Sequence, residues 1–341
     1  MNSTQSSNTA IALWLTLVAA LVFAMVVVGG VTRLTRSGLS ITEWNPVIGA
    51  IPPLSAEQWQ AEFEKYRETP EYRHVNAGMS LDGFKRIYWV EWAHRLLGRL
   101  IGFAVILPLI YFAVRRQLSK PLVGKLIALF ILGGLQGALG WFMVKSGLVD
   151  IPRVSPYRLT AHLGLAVGLY AWLVWIVLDL KRPLVRERHP RARRYALVIT
   201  GLVVLMILAG GFVAGTRAGF AFNTFPLMNG AFFPPGLYAM RPAWANIFEN
   251  IATVQFNHRL LAYVLLISTA AFWWWGRRAN LAIRTQRITS WLFAVLCAQV
   301  VLGIATLLFI VPVWLGALHQ AGALAVLTIV LRLNHDLAKS R

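Results

Sequence analysis

Apolar residues in this chain run in stretches of roughly 20, the length a helix needs to cross the hydrocarbon core of a bilayer. Eight such stretches are predicted as membrane-spanning helices, at about 11–32, 92–114, 122–144, 157–179, 195–216, 250–274, 288–310 and 313–333. The seventh and eighth are separated only by a short turn near Val311-Pro312. Polar residues gather in the connections. The longest connection, 33–91, mixes acids and bases in AEFEKYRETPEYRHVNAGMSLDGFKR, which predicts a small ordered cap.

Charge gives the spans a direction. Arg115, Arg116, Lys120 and Lys125 follow the second span, and the stretch KRPLVRERHPRARR after the fourth holds seven Lys or Arg. Arg277, Arg278, Arg284 and Arg287 follow the sixth, and the tail adds Arg332, Lys339 and Arg341. The facing loops 33–91, 145–156 and 217–249 are longer or less basic. By the positive-inside rule both termini are cytoplasmic. The formal charge of +20 is therefore read as membrane topology and not as a nucleic-acid surface. Only 13% of the 341 residues are charged and 57% are hydrophobic, against about 25% charged in soluble domains. The lone cysteine, Cys297, excludes an intramolecular disulfide and any multi-thiolate cluster. The opening MNSTQSSNTA has neither the basic region of a cleaved signal nor the length of a transit peptide, so a bacterial inner (cytoplasmic) membrane fits best.

The chain also echoes itself. EWAHRLLGR at 91–99 matches QFNHRLLAY at 255–263, GGVTRLTRSG at 29–38 matches GGFVAGTRAG at 210–219, and QGALG at 136–140 matches QVVLG at 299–303. Loops after the first span of each copy carry WNP at 44–46 and TFP at 224–226, then Pro52-Pro53 and Pro234-Pro235. LTAHLGLAVG at 159–168 answers LGALHQAGALAV at 315–326. The order is kept while the spacing drifts, so the loops have gained and lost residues. Four spans per copy make the repeat parallel, with a pseudo-two-fold axis along the membrane normal. The expected fold is an all-α integral membrane protein of eight transmembrane helices in two four-helix bundles. The first half covers 1–180 with its outer loop 33–91, a basic linker covers 181–194, and the second half covers 195–341.

Histidines carry the chemistry. His189 in the basic linker and His335 in the tail read as solvent-exposed, and His74 as a surface residue of the outer loop. His94, His162, His258 and His319 fall at a similar depth near the outer ends of the even-numbered spans, and the repeat pairs them. Ionisable groups inside a membrane are costly and usually functional. Zinc would need three or four ligands together, whereas each half offers a histidine pair, the axial arrangement that haem iron uses within a four-helix bundle. Two haem sites follow, His94 with His162 and His258 with His319, both towards the periplasmic side. Arg36, Arg95, Arg217 and Arg259 are candidate contacts for haem propionates, with simple snorkelling as the alternative for all four and the choice left open for Arg95 and Arg259. Gly29-Gly30, Gly133-Gly134, Gly137 and Gly140 leave room for close helix packing or a flat ligand. Glu91, three residues before His94, lies on the same helical face, while the second half has Gln255 there. That asymmetry suggests one half keeps a cofactor and the other transforms a bound haem.

These motifs resemble the haem A synthase family, the CtaA/Cox15 proteins, over nearly the whole chain: eight spans in two halves, EWxHR at Glu91–Arg95, NHR at Asn257–Arg259, and the histidines at 162 and 319. The resemblance implies a resident haem b on His258 and His319, haem O as substrate at His94 and His162, and the family's essential glutamate at Glu91. It implies oxidation of the C8 methyl of haem O to a formyl group, through two hydroxylations and loss of water. An electron acceptor is implied but not named by the sequence. Haem O synthase and oxidase assembly factors are expected partners from pathway logic, and oligomerisation is open. The outer-loop cysteine pair of some Gram-positive members is missing. Two other readings remain at this stage: a dihaem b-type cytochrome moving electrons between quinol and a partner, and a transporter built from parallel repeats.

Overall fold

The computed structural model describes residues 3–45, 48–148, 153–181 and 189–338. Among them the fold is all-α, with a single isolated bridge pair, Met228 and Ala231, as its β-structure. In chain order the helices are α1 (Ser3–Leu34), α2 (Ala56–Arg67), α3 (Pro70–His74), α4 (Leu81–Val114), α5 (Lys120–Lys145) and α6 (Pro156–Lys181). There follow α7 (Pro190–Thr216), α8 (Ala218–Ala221), α9 (Ile251–Arg278), α10 (Ile283–Leu308) and α11 (Val313–Asp336). Eight of these, α1, α4, α5, α6, α7, α9, α10 and α11, are long and apolar enough to cross a membrane. They coincide with the eight predicted spans, and the chain is a multi-pass membrane protein. Half of the basic linker, residues 182–188, lies outside the described residues, as do Pro46, Lys339 and Arg341. The chain divides into two compact units, Ala20–Leu169 and Met1–Ala19 with Tyr170–Arg341.

In the Ala20–Leu169 unit the expected cap exists. Ser55 caps α2, accepting from Gln58 N while the Gln58 side chain accepts from the cap backbone. Thr69 caps α3 ahead of Pro70, and Ser80 caps α4 through Gly83 N. α4 starts at Leu81, well before the predicted 92. Asp82, Lys85 and Arg86 depress the hydropathy of its first turns, yet Phe84, Tyr88 and Glu91 recur at helical spacing and are buried. Phe84 and Tyr88 pack on Phe63 and Tyr66 of α2. Tyr66 and Phe84 are fully buried and stack with centroids 5.2 Å apart. Burying each aromatic ring contributes about 2–3 kcal/mol. This cluster fixes the rotation of α4 and hence the direction in which Glu91 points.

In the other unit, His189 caps α7 by accepting from Ala192 N, and Asn250 caps α9 through Thr253 N. α10 and α11 are joined by a tight turn in which Ile310 and Val311 both take positive φ. Two expectations fail here. His335 is fully buried, not exposed: its Nε2 lies 3.0 Å from Asp179 Oδ1 and its ring packs edge-on against Trp175. The reading failed because α11 continues through the tail, carrying His335 back into the packed helices. His189 is half-buried, with its ring against Trp275. His74 is exposed, as expected.

Candidate functional site

Each of the four span histidines leans on a glycine of a neighbouring helix. In the Ala20–Leu169 unit, α1 and α4 run antiparallel, and a methyl on Gly29 would sit 3.4 Å from His94 Nε2 while one on Gly98 would meet Met25. A methyl on Gly140 of α5 would come within 2.9 Å of His162 Cε1 on α6. In the other unit a methyl on Gly210 of α7 would lie 3.4 Å from His258 on α9, and one on Gly303 of α10 would lie 2.7 Å from His319 on α11. His94 is close enough to His162 for the charge of one to act on the other, and so is His258 to His319.

A glutamine one turn before the α5 and α10 glycines completes each arrangement. Gln136 Nε2 donates to the carbonyl of His162 (3.0 Å) and lies 3.4 Å from its ring Nε2. Gln299 Nε2 donates to the carbonyl of His319 (2.7 Å) and lies 3.1 Å from its ring Nδ1. Each glutamine amide is thus tied to the histidine's backbone carbonyl and lies beside its ring. Sequence reasoning used QGALG and QVVLG only as marks of the repeat. The signal was present: a polar residue four before a glycine, kept in both copies.

The two copies diverge above the first histidine. Glu91 is 2% exposed and both carboxylate oxygens are engaged. Oε1 accepts from Arg95 Nε (3.0 Å) and Nη2 (2.7 Å); Oε2 accepts from Ser40 Oγ and Ile41 N, both at 2.8 Å. Arg95 also donates to the carbonyls of Ile41 and Glu43, and Arg99, one turn on, donates to that of Asn45. Alternate carbonyls of the outer loop are thus pinned along α4. In the second copy Gln255 is equally buried, at 3%, and its Oε1 has no hydrogen-bond partner. Arg259 still reaches loop carbonyls, those of Phe222 (3.0 Å) and Pro226 (3.4 Å), but its Nε has no partner, and Tyr263 stands where Arg99 stands in the first copy. Arg95 and Arg259 are loop pins in this structure.

Arg36 and Arg217 occupy one further matched position. Both adopt left-handed φ, 55° and 58°, just after the first long helix of their copy. That backbone favours glycine, so an arginine kept there in both copies points to use of its side chain. Arg36 is exposed and Arg217 half-buried. Of the remaining glycines, Gly133 and Gly134 face open space and Gly137 meets Trp44.

The residues fit a haem better than a bare ion. Among the described residues no three His, Cys, Asp or Glu gather as a multi-ligand metal site requires. The buried Nδ1 atoms of His162 and His258 have no hydrogen-bond partner, and the glycines beside all four rings leave the imidazoles flat walls to lie against. Comparison with known proteins agrees with this chemistry. The model of a family described as cytochrome oxidase assembly protein (COX15-CtaA) matches residues 12–331. A haem A synthase of Nitrosospira multiformis is 52% identical over 333 residues, covering 96% of this chain and 94% of the relative. One of Parvibaculum lavamentivorans is 52% identical over 339 residues, covering 99% and 97%, and one of Caulobacter vibrioides is 48% identical over 322, covering 94% and 93%. With a family match over residues 12–331 and relatives about half identical along nearly its full length, the chain belongs to the COX15-CtaA family of cytochrome oxidase assembly proteins.

Proposed function

We propose that this protein is a haem A synthase, an oxidoreductase that converts haem O to haem A, and that its two histidine pairs divide the work. The observation that carries the division is the contrast between Glu91, saturated with four donors, and Gln255, with an unpartnered oxygen. The substrate haem O is held by His94 and His162. Its C8 methyl is oxidised to the alcohol and then to a geminal diol, each step taking its oxygen from water and passing two electrons to the acceptor outside the chain with release of two protons; the diol then loses water to give the formyl group. Glu91 supplies fixed negative charge three residues from His94 on α4, stabilising positive charge that develops on the substrate. Arg95 orients that carboxylate and ties it to the outer loop. Ligation by His94 and His162 is reversible, because the product must leave.

His258 and His319 would hold a resident haem b, which would supply one-electron chemistry within the protein. Gln299 orients His319, and Gly210 and Gly303 keep side chains out of the ring space. Arg36, Arg95, Arg217 and Arg259 are the proposed propionate contacts, and of these Arg95 and Arg259 also donate to loop carbonyls. The recurrence of the same glycine–histidine and glutamine–histidine contacts in both copies supports two four-helix halves, 1–180 and 195–341, related by a pseudo-two-fold axis. The basic connections support a reading with both termini in the cytoplasm of a bacterial inner membrane and the histidines towards the periplasmic side. Haem O synthase and oxidase assembly factors are the proposed partners, and an electron acceptor lies outside the chain.

The test is extraction of pigments from protein purified out of cells that make haem O. Haem b with haem A or its hydroxylated precursor is expected. H258A or H319A should lose haem b, whereas H94A or H162A should keep haem b and lose conversion. Two haem b per chain, with no haem O or haem A in any preparation, would refute the assignment.

A further inference from the structure

The ends of α9 and α10 carry arginines that charge topology alone does not fully explain. Arg284 is committed to Asp336, with Nε 2.9 Å from Oδ2, and Arg278 lies 4.1 Å over the ring of Trp274. Arg277 is held 4.6 Å over Trp273, whose indole N–H donates to Ser290. Between Arg277 and the first turns of α10 opens a groove of about 400 Å³, lined by Arg277, Ile283, Gln286, Arg287, Ser290 and Trp291. Among the described residues no acidic side chain lines it, and the first turn of α10 beside it holds no acidic residue. The polar groups of Gln286 and Ser290 are already used on the backbone, at Leu281 and Gln286. The guanidiniums are what the groove offers, and stacking on indole presets one of them. Trp291, one turn past Arg287 along a helix that goes on to span the membrane, is 67% exposed.

A ligand for this groove must be anionic at one end and apolar at the other. We propose that it binds the phosphodiester headgroup of an anionic phospholipid, with Arg277 and Arg287 on the phosphate and Trp291 against the acyl chain. Free phosphate shares the first contact but gains nothing from the tryptophan. The site would seat this end of the protein against the acidic leaflet independently of haem chemistry.

The purified full-length protein, stripped of lipid in neutral detergent, is titrated with phosphatidylglycerol, and retained lipid is counted by native mass spectrometry. One tightly held lipid is expected. The double variant Arg277→Gln/Arg287→Gln should weaken it about thirtyfold and Arg287→Gln alone about fivefold, from the effect of one charge near a membrane surface. Arg115→Gln/Arg116→Gln, which removes equal charge from a connection without such a groove, should leave it unchanged. Equal loss in both double variants would reduce the effect to general charge attraction and overturn the site. Displacement by inorganic phosphate at equal concentration, or no stoichiometric lipid, would overturn it as well.

Discussion

Replacing Glu91 by Gln changes one oxygen to an amide nitrogen, and the structure lets the consequence be worked out. The carboxylate now faces four donors: two N–H groups of Arg95 on one side, the Ser40 hydroxyl and the Ile41 N–H on the other. A glutamine has one accepting oxygen. If that oxygen serves Arg95, the amide N–H₂ confronts Ile41 N–H; if it serves the loop, the N–H₂ confronts the guanidinium. Ser40 can reverse its hydroxyl, but Ile41 and Arg95 cannot. A buried donor left facing a donor costs about 1–3 kcal/mol, and breaking a buried ion pair costs about 3–5 kcal/mol. Arg95 keeps its bonds to the carbonyls of Ile41 and Glu43, so about 3 kcal/mol is the expected loss. At ~1.4 kcal/mol per factor of ten, the pinned loop becomes about a hundredfold less favoured. Haem O conversion by E91Q should fall by at least that factor while haem b content is unchanged. Hydrogen exchange at the Ile41 amide should speed up by a similar factor. E91D keeps the charge but shortens the reach, and should retain part of both. Full conversion by E91Q with an unchanged Ile41 amide would refute both the clamp and the role proposed for it.

Three further outcomes follow from contacts already described. G303A and G140A would press a methyl to within 2.7 and 2.9 Å of His319 and His162, so the rings must move; G303A should lower haem b per chain, G140A should impair conversion, and G29A, with 3.4 Å of room, should do little, an order that pigment yield would reverse if the glycines were mere packing. His335→Ala leaves Asp179 without its 3.0 Å partner and opens a void at a fully buried position, so a loss of about 2–4 kcal/mol is expected in detergent melting curves; an unchanged melting temperature would count against the buried pair. Burial pushes the Tyr66 phenol up to about 12. Its neutral form therefore stabilises the cap fully below pH 10, the ordinary value, and that contribution is lost as pH rises through 12. The absorbance difference between wild type and Y66F should show one phenol titrating late and together with cap opening, while Tyr88, buried in the same cluster, remains in both; a Tyr66 phenol titrating near pH 10 with the cap intact would contradict it.

How much of this was readable in the chain depends on the length scale of the interaction. The eight spans were legible because bilayer thickness writes itself as uninterrupted apolar runs, and the matched glycine–histidine contacts because a repeat compares the sequence with itself. The start of α4 was hidden, since its buried face, Phe84–Tyr88–Glu91, alternates with Asp82, Lys85 and Arg86 that average it away. His335 was misread for the converse reason: a polar tail looks solvated unless the partner is known, and Asp179 lies far away in sequence. The meaning of Glu91 was only half legible. Its difference from Gln255 marked the first half as special, but a carboxylate three residues from a ligand looks like a free acid or base. Only the fold shows that Ser40, Ile41 and Arg95 converge on it. The asymmetry between the copies therefore extends from one side chain to the attachment of a loop: Glu91, Arg95 and Arg99 fasten residues 40–45 along α4, whereas Arg259 alone holds the corresponding carbonyls on α9. A carboxylate that is both a source of charge and the anchor of its own surroundings can be probed only by variants that separate the two, which is why E91D and the Ile41 amide are informative together where E91Q by itself is not.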